Sequence, residues 1–339
     1  MIRWGILGLG RAATSFAEAI KEVENAKIIS ISSHSKKKLS LFGKKFNIIE
    51  NYRFNTYQEL INCEEIDAVY IGTLNNTHAD LIIKSAKANK GILCEKPMAM
   101  NENQAKQVFI QLAKSKVFFL EAIAYRAHPQ TKILNKLILD EEIGKIETIK
   151  SHFTFKVNNL IKLMPKHRLF NKKLGGGAIL DIGCYPSSFS LLIAKLLQKK
   201  EKKIKFELEN INGKINFRGT DDQAYTKIIF EDLFEAEFNI AINKKADNFI
   251  NIYGSKGQII IRNPWLPPKK SFIEVFTKTK SYVKEVNSKY SIYANCIRFA
   301  SNSIEKKTIN PSYPLMTWED SMINMQILNQ WKNKLYDFR

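Results

Sequence analysis

Met1-Ile-Arg-Trp4-Gly-Ile-Leu7-Gly8-Leu-Gly10-Arg11-Ala12-Ala13 is the stretch whose reading decides the fold. A short apolar run, Trp4 to Leu7, meets Gly8-x-Gly10-x-x-Ala13, and an amphipathic segment follows at once. That order reads strand, tight glycine turn, helix. The glycines permit the turn and let the backbone approach a diphosphate. Ala13 is small enough for the helix to lie close to the strand, so amides at the helix start, those of Arg11 and Ala12 among them, face the phosphates. A string of this kind alone is weak and also suits a plain structural turn; the strand before it and the helix after it supply its meaning. A dinucleotide is the expected ligand.

Outward from this point the chain alternates short apolar runs with amphipathic stretches. Strands are expected at Ile2–Leu7, Lys27–Ser32, Asp67–Ile71, Gly91–Cys94 and Val117–Glu121. Helices are expected at Ala13–Val23, Lys36–Phe46, His78–Asn89 and Asn101–Ser115. Repeated β-α-β alternation specifies a doubly wound parallel sheet of the Rossmann type. Beyond Ala124 the rhythm changes. Glu147–Val157 reads as a strand and Leu180–Leu197 as a buried helix. Five strand-like runs follow, Lys205–Gly213, Tyr225–Phe230, Phe234–Ile242, Asn248–Tyr253 and Gln258–Ile261. Consecutive strands with short turns indicate a large, mostly antiparallel sheet in an α+β domain. Phe272–Val286 is ambiguous, and Ile292–Ile304 and Asp320–Lys334 read as helices. The expected organisation is a dinucleotide-binding domain over residues 1–122 and a substrate-binding and oligomerisation domain over 123–339, with the C-terminal helix able to pack back on the first domain.

The size agrees, since 339 residues suggest about two domains and a 45% hydrophobic content fills two cores. No run approaches the ~20 apolar residues that span a bilayer, and no charged-then-apolar leader opens the chain. A cytoplasmic protein is expected, with no membrane partner. Cys63, Cys94, Cys184 and Cys296 form no CxxC pair, which fits reduced thiols. No His, Asp or Glu set has metal spacing, so no metal is expected. The formal charge of +20 raises nucleic acid as a partner. The basic residues are mostly lysines spread through the whole chain, which reads as solvated faces, and no nucleic acid is expected.

The end of the second strand selects the cofactor. An NAD site usually carries Asp or Glu there. Here the chain reads Ser32-Ser33-His34-Ser35-Lys36-Lys37-Lys38, without a carboxylate. Hydroxyls and lysines suit a 2′-phosphate that a carboxylate would repel. Lysines in a helix first turn are unfavourable unless an anion sits there. Ser33, His34, Lys37 and Lys38 therefore point to NADP over NAD, with NAD kept as the alternative.

Two motifs add chemistry. Cys94-Glu95-Lys96-Pro97 ends the fifth strand, where open α/β sheets bind ligands, and Pro97 disfavours helix at Lys96. Leu174-Gly-Gly-Gly-Ala-Ile-Leu-Asp181-Ile-Gly-Cys-Tyr185 leads a glycine cluster into a helix, and the i, i+4 spacing puts Asp181 and Tyr185 on one helical face.

With these motifs the chain resembles the glucose–fructose oxidoreductase / inositol dehydrogenase (Gfo/Idh/MocA) family. The likeness runs in order through Gly8-x-Gly10-x-x-Ala13, Thr73-Leu-Asn75-Asn-Thr-His78, Glu95-Lys96-Pro97, Glu121-Ala-Ile-Ala-Tyr125-Arg126-Ala-His128-Pro129, Arg168-Leu-Phe, Gly175-Gly-Gly177 with Asp181-x-Gly183-x-Tyr185, and Gly254-x-x-Gly257. Tyr185 resembles the branch of dimeric dihydrodiol dehydrogenase and NADP-linked xylose dehydrogenase; Leu74 departs from the proline common in the family. The resemblance implies an oxidoreductase moving a hydride between nicotinamide and a carbinol or carbonyl carbon of a sugar or polyol. It implies Lys96 and Tyr185 as a coupled proton-transfer pair, converging beside the nicotinamide, and Asp181 as the group that orients the substrate. It implies Thr73, Asn75, His78, Glu95 and Arg126 as lining for the nicotinamide half. It further implies an open-faced second-domain sheet and a homodimer or higher homo-oligomer formed through it. Specificity is expected in Val157–Phe170 and Asn263–Lys270. Two other readings stay open: an oxo-sugar reductase of carbohydrate biosynthesis, and a non-catalytic NADP-binding regulator.

Overall fold

Strand β1 (Ile2–Leu7) runs straight into the glycine turn and α1 (Arg11–Ala19), as the opening residues dictate. The computed structural model describes residues 1–158, 167–198 and 203–337. Part of the expected specificity segment Val157–Phe170 therefore lies outside the described residues. The first unit continues with β2 (Ala26–Ser32), α2 (Lys36–Lys45), β3 (Arg53–Phe54), α3 (Tyr57–Ile61), β4 (Ala68–Ile71), α4 (Asn75–Lys87), β5 (Gly91–Cys94), α5 (Glu102–Ser115) and β6 (Phe119–Glu121). The strands are all parallel, in the order β3-β2-β1-β4-β5-β6. The order reverses between β1 and β4, which opens a ligand crevice at their carboxyl ends. Strands β4 and β5 are buried throughout, which explains their unbroken apolar sequences. Helix α1 packs through Ala13, Phe16 and Ala17, and Phe16 stacks on Tyr70 of β4 at 4.1 Å. The sequence reading passed over β3 and α3. Both are short, although α3 opens on a capping box between Thr56 and Glu59.

The second unit holds α6 (Pro129–Leu139), β7 (Ile146–Thr154), α7 (Cys184–Leu197), β8 (Phe206–Ile215), β9 (Asp221–Phe230), β10 (Phe234–Ala241), β11 (Phe249–Gly254), β12 (Gly257–Arg262), β13 (Lys270–Thr277) and β14 (Ser281–Asn287). Its eight strands lie in the order β14-β13-β12-β11-β7-β10-β9-β8. Among the described residues of this sheet only the β7–β10 pair is parallel. Burial alternates along β9 and β10, so one face meets the core. The other face is polar and carries ion pairs such as Lys150–Glu237 and Lys227–Glu235. The ambiguous Phe272–Val286 stretch resolves as β13 and β14, a hairpin.

Helix α6 was not foreseen. Pro129 supplies its first turn and His128 its cap, with Nδ1 accepting the Gln130 N–H at 3.2 Å. The stretch Lys172–Leu197 is long and apolar enough in composition to cross a bilayer, contrary to the sequence expectation. Yet 94% of its most apolar window is buried within the fold, so it is a core helix.

The chain divides differently from the expected break after residue 122. One unit comprises Met1–Ala127 with Tyr290–Met322, the other His128–Lys289 with Ile323–Arg339. Helix α8 (Ile292–Glu305) thus belongs to the first unit, where Ser301 Oγ accepts the Trp4 indole N–H at 3.1 Å. Helix α9 (Trp318–Asp337) begins in the first unit and belongs to the second from Ile323 on. An amphipathic pattern shows that a helix will be buried, but not against which sheet.

Candidate active site

The two glycines of the opening turn have separate reasons. Gly8 has φ +85°, and a Cβ there would stand 2.7 Å from Thr73 Cγ2, so the fold itself requires glycine. Gly10 has an ordinary φ of −97°, and a Cβ would meet only the Gly72 carbonyl oxygen at 4.0 Å. The protein leaves this space open, as close approach of a diphosphate to the backbone would need. Gly10 caps α1 without a side chain, and Arg11, Ala12 and Ala13 bring no acid to the first turn. Their amides precede the helical ladder and face an anion favourably. The residues therefore fit a dinucleotide.

At the end of β2, Ser35 caps α2 by accepting the Lys38 N–H at 3.3 Å. Lys36, Lys37 and Lys38 are exposed in a first turn without an acid. His34 is exposed with its ring 4.6 Å from that of Tyr57. Ser33 is buried and its hydroxyl accepts the Ser35 N–H at 3.2 Å.

Lys96, half-buried, follows β5 and is framed by its neighbours. The Glu95 carboxylate accepts Tyr70 and Tyr293 hydroxyls at 2.7 and 3.1 Å through the same oxygen, Oε1. The Pro97 carbonyl lies 2.8 Å from His78 Nδ1, and the Met98 N–H donates to Glu121 Oε1 at 3.0 Å. His78 Nε2 lies 3.3 Å from the Thr73 carbonyl, and a neutral ring donates to only one of the two carbonyls, the shorter contact being that to Pro97. Burial pushes His78 down, which keeps the ring neutral, and burial pushes the Glu121 carboxyl up. Thr73 Oγ1 accepts from Thr77 Oγ1 at 2.7 Å, and Asn75 opens α4, buried, behind the exposed Leu74.

Two expected lining residues are buried on protein partners. Glu95 is buried and held by two tyrosines. Arg126 has a fully buried side chain, and its Nη1 donates to Asp320 Oδ2 at 2.8 Å. In this arrangement Arg126 and Asp320 form a buried ion pair. The reason is burial by the returning Tyr290–Met322 segment, which no local pattern discloses.

In the second unit, residues Ile179–Gly183 form a π turn that leads into α7. The expected regular i, i+4 face is thus modified. Pro186 has no N–H and its ring crowds the Ile182 carbonyl, so the α ladder is interrupted at this point. Asp181 is buried and its Oδ1 accepts Arg168 Nη1 at 2.8 Å, while Arg168 stays half-exposed. Tyr185 is half-buried between edge-to-face rings, Phe153 at 5.0 Å and Trp265 at 6.1 Å. Trp265, in the Asn263–Lys270 segment, donates its indole N–H to the His152 carbonyl at 2.7 Å. Arg168 was visible as a motif without a role and Trp265 only as part of the expected specificity segment Asn263–Lys270; Phe153 carried no sequence signal. Lys96 belongs to the first unit, Asp181 and Tyr185 to the second.

Residues 2–122 match the family model for the oxidoreductase family with NAD-binding Rossmann fold, and residues 131–260 match the GFO/IDH/MocA C-terminal domain. The chain is 24% identical over 336 residues to trans-1,2-dihydrobenzene-1,2-diol dehydrogenase of Mus musculus, covering 97% of this chain and 95% of that protein. KijD10, a 3-ketoreductase from Actinomadura kijaniata solved with NADP and TDP-benzene, superposes with a TM-score of 0.86 at 19% identity, covering 98% of this chain and 97% of that one. The aldose-aldose oxidoreductase from Caulobacter crescentus gives 0.85 at 21% identity, covering 100% of this chain and 98% of that one.

Proposed function

We propose that this chain, which belongs to the GFO/IDH/MocA oxidoreductase family, is an NADP-dependent enzyme that interconverts a carbinol and a carbonyl on a sugar or related polyol. The observation that carries the reading is Lys96, framed on both sides at the carboxyl end of β5 in the unit that also holds the glycine turn. The names of the relatives, a diol dehydrogenase, a ketoreductase and an aldose oxidoreductase, share this one conversion.

A bound nicotinamide supplies or receives the hydride. The protein handles the proton and the geometry. In this proposal the amides at the start of α1 bind the diphosphate, and Ser33, His34, Lys37 and Lys38 recognise the 2′-phosphate. Lys96 and Tyr185 act as a coupled pair on the reacting hydroxyl. Free tyrosine, with a pKa of ~10, is a poor base near neutrality, and a nearby ammonium stabilises its phenolate. Asp181, aligned by Arg168, accepts a hydrogen bond from a neighbouring substrate hydroxyl. We further propose a cytoplasmic protein, supported by four buried cysteines that form no disulfide, and a second copy against the polar face of the eight-stranded sheet, supported by the exposed Tyr253 and Phe272.

The test is nucleotide reduction with aldoses, inositols and dihydrodiols. NADP is expected to outperform NAD, and Lys37→Ala with Lys38→Ala to weaken NADP about tenfold while sparing NAD. No turnover with any of these alcohols, in either direction, would retire the proposal.

A further inference from the structure

Asp221 opens β9 with its carboxylate in the interior, at 1% exposure. Its Oδ2 accepts the Ile179 N–H at 2.7 Å, in the first turn of the helical stretch that carries Asp181 and Tyr185. Ala178, at the cap position, offers no side-chain bond, so a strand residue performs the capping. Its Oδ1 receives the Tyr336 hydroxyl of α9 at 3.1 Å, and the same hydroxyl lies 3.1 Å from the Gly219 carbonyl. Gly177 has φ +113°, and a Cβ there would collide with Asp221 Oδ1. The last glycine of the Gly175–Gly177 run is therefore the room left for this carboxylate. The Gly177 carbonyl in turn accepts the Asp181 N–H at 3.1 Å. Asp221 thus grips the Ile179 amide directly and confines the residue that anchors Asp181.

We propose that Asp221 is a positioning residue, which sets the helix start from which Asp181 and Tyr185 act. The inference rests on the reading of those two residues given under the proposed function. The groups around the carboxylate are the Ile179 amide, Lys332 and Tyr336 of α9, and Lys172, whose ammonium lies over the Tyr336 ring at 5.2 Å. Asp222, the next residue, is bound instead by Asn216 Nδ2 at 2.6 Å. Burial pushes Asp221 up to about 6, against the lowering pull of the Ile179 amide, the Tyr336 hydroxyl and Lys332. Ionised, it accepts both hydrogen bonds. Protonated, it donates to the Tyr336 oxygen, whose O–H then donates to the Gly219 carbonyl instead; partners persist, but the charge at the helix start is lost.

The sign of the linkage separates positioning from mere support. The folded value lies above the ordinary 3.8, so the stabilisation is complete below about 4 and is lost as pH rises through about 6. At pH 8 the ionised group is therefore held at the expense of stability.

Asp221→Asn keeps an acceptor for Ile179 and removes the charge. In the full chain at pH 8 it is expected to leave Tm unchanged or higher, to lower kcat about tenfold or more with little change in KM, and to flatten the fall of kcat near pH 6. Tyr336→Phe removes a donor that favours the ionised form, so it shifts that fall to higher pH. Amide exchange across 177–185 is expected to quicken in Asp221→Asn without cofactor. Wild-type kcat and pH profile in Asp221→Asn overturn the inference, as does unchanged exchange across 177–185. A fall in kcat matched by a fall in Tm also overturns it, since that marks structural support alone. A wild-type protein that turns over no alcohol refutes the proposed function instead, and the exchange measurement on the protein without cofactor then still decides whether Asp221 holds that turn.

Discussion

In the first unit the residues flanking Lys96 are held: the Pro97 carbonyl by His78, the Met98 amide by Glu121, and the Glu95 side chain by Tyr70 and Tyr293. In the second unit the side chains themselves are gripped, Asp181 by Arg168 and Tyr185 by Phe153 and Trp265. The first frame's bonds at Glu95, Pro97 and Met98 run between residues other than Lys96, so exchanging the lysine leaves those bonds in place. The second couples each functional group to its supports, so substitutions there mix chemistry with structure. In the second unit burial also pushes Asp221 up to about 6 and His128 down to about 4.

The largest effect should fall on Lys96→Ala, a loss of kcat of about 10³-fold with NADPH affinity and Tm close to wild type. Steady-state kinetics, fluorescence titration and calorimetry together check it, and a collapse of Tm would erase the contrast between the units. Next is pH. Burial pushes His128 down to about 4, and Nδ1 is already an acceptor for Gln130, so protonation breaks the cap. A folded value below the unfolded ~6.5 gives stability that is present above pH 6.5 and lost on acidification toward 4, at most about 3 kcal/mol. Asp221 acts with the opposite sign over part of that range. Denaturant unfolding of His128→Asn should show a shallower acid loss; an unchanged slope would remove His128 from the account.

A smaller effect is expected of Arg168→Gln, about tenfold in kcat/KM and chiefly through KM, because Asp181 loses its alignment. A half-exposed ion pair contributes only ~1 kcal/mol or less to stability, so Tm should barely move. The mildest is Tyr293→Phe, which leaves Glu95 with Tyr70 and costs ~1 kcal/mol of stability. Its kcat should fall only a few-fold, and a loss comparable to that of Lys96→Ala would show that the first frame is as tightly coupled as the second.

Much of this was legible in the residues alone. Strands Ile2–Leu7 and Gly91–Cys94 have the bounds expected of them, because a strand buried on both faces needs an apolar run with polar ends. The glycine turn and the lysine–proline pair were readable because their chemistry is local. The partners were not. Tyr293 reaches Glu95 across 198 positions, and Asp221 reaches Ile179 across 42. Arg126 is expected beside the nicotinamide from the family resemblance alone, and its ion pair with Asp320, 194 positions away, had no sign in the sequence.

The residue order by itself determined a parallel α/β unit with a dinucleotide turn and a largely antiparallel second sheet, and it marked the side chains proposed for proton transfer. Each follows from periodicity, backbone freedom or intrinsic acidity within a few residues. Only the tertiary structure decided that Tyr290–Met322 returns to the first unit, that a π turn precedes Tyr185, and which buried groups hold the functional ones. Those outcomes depend on strand register and on what a returning helix covers, and such long-range contacts leave no period in the chain.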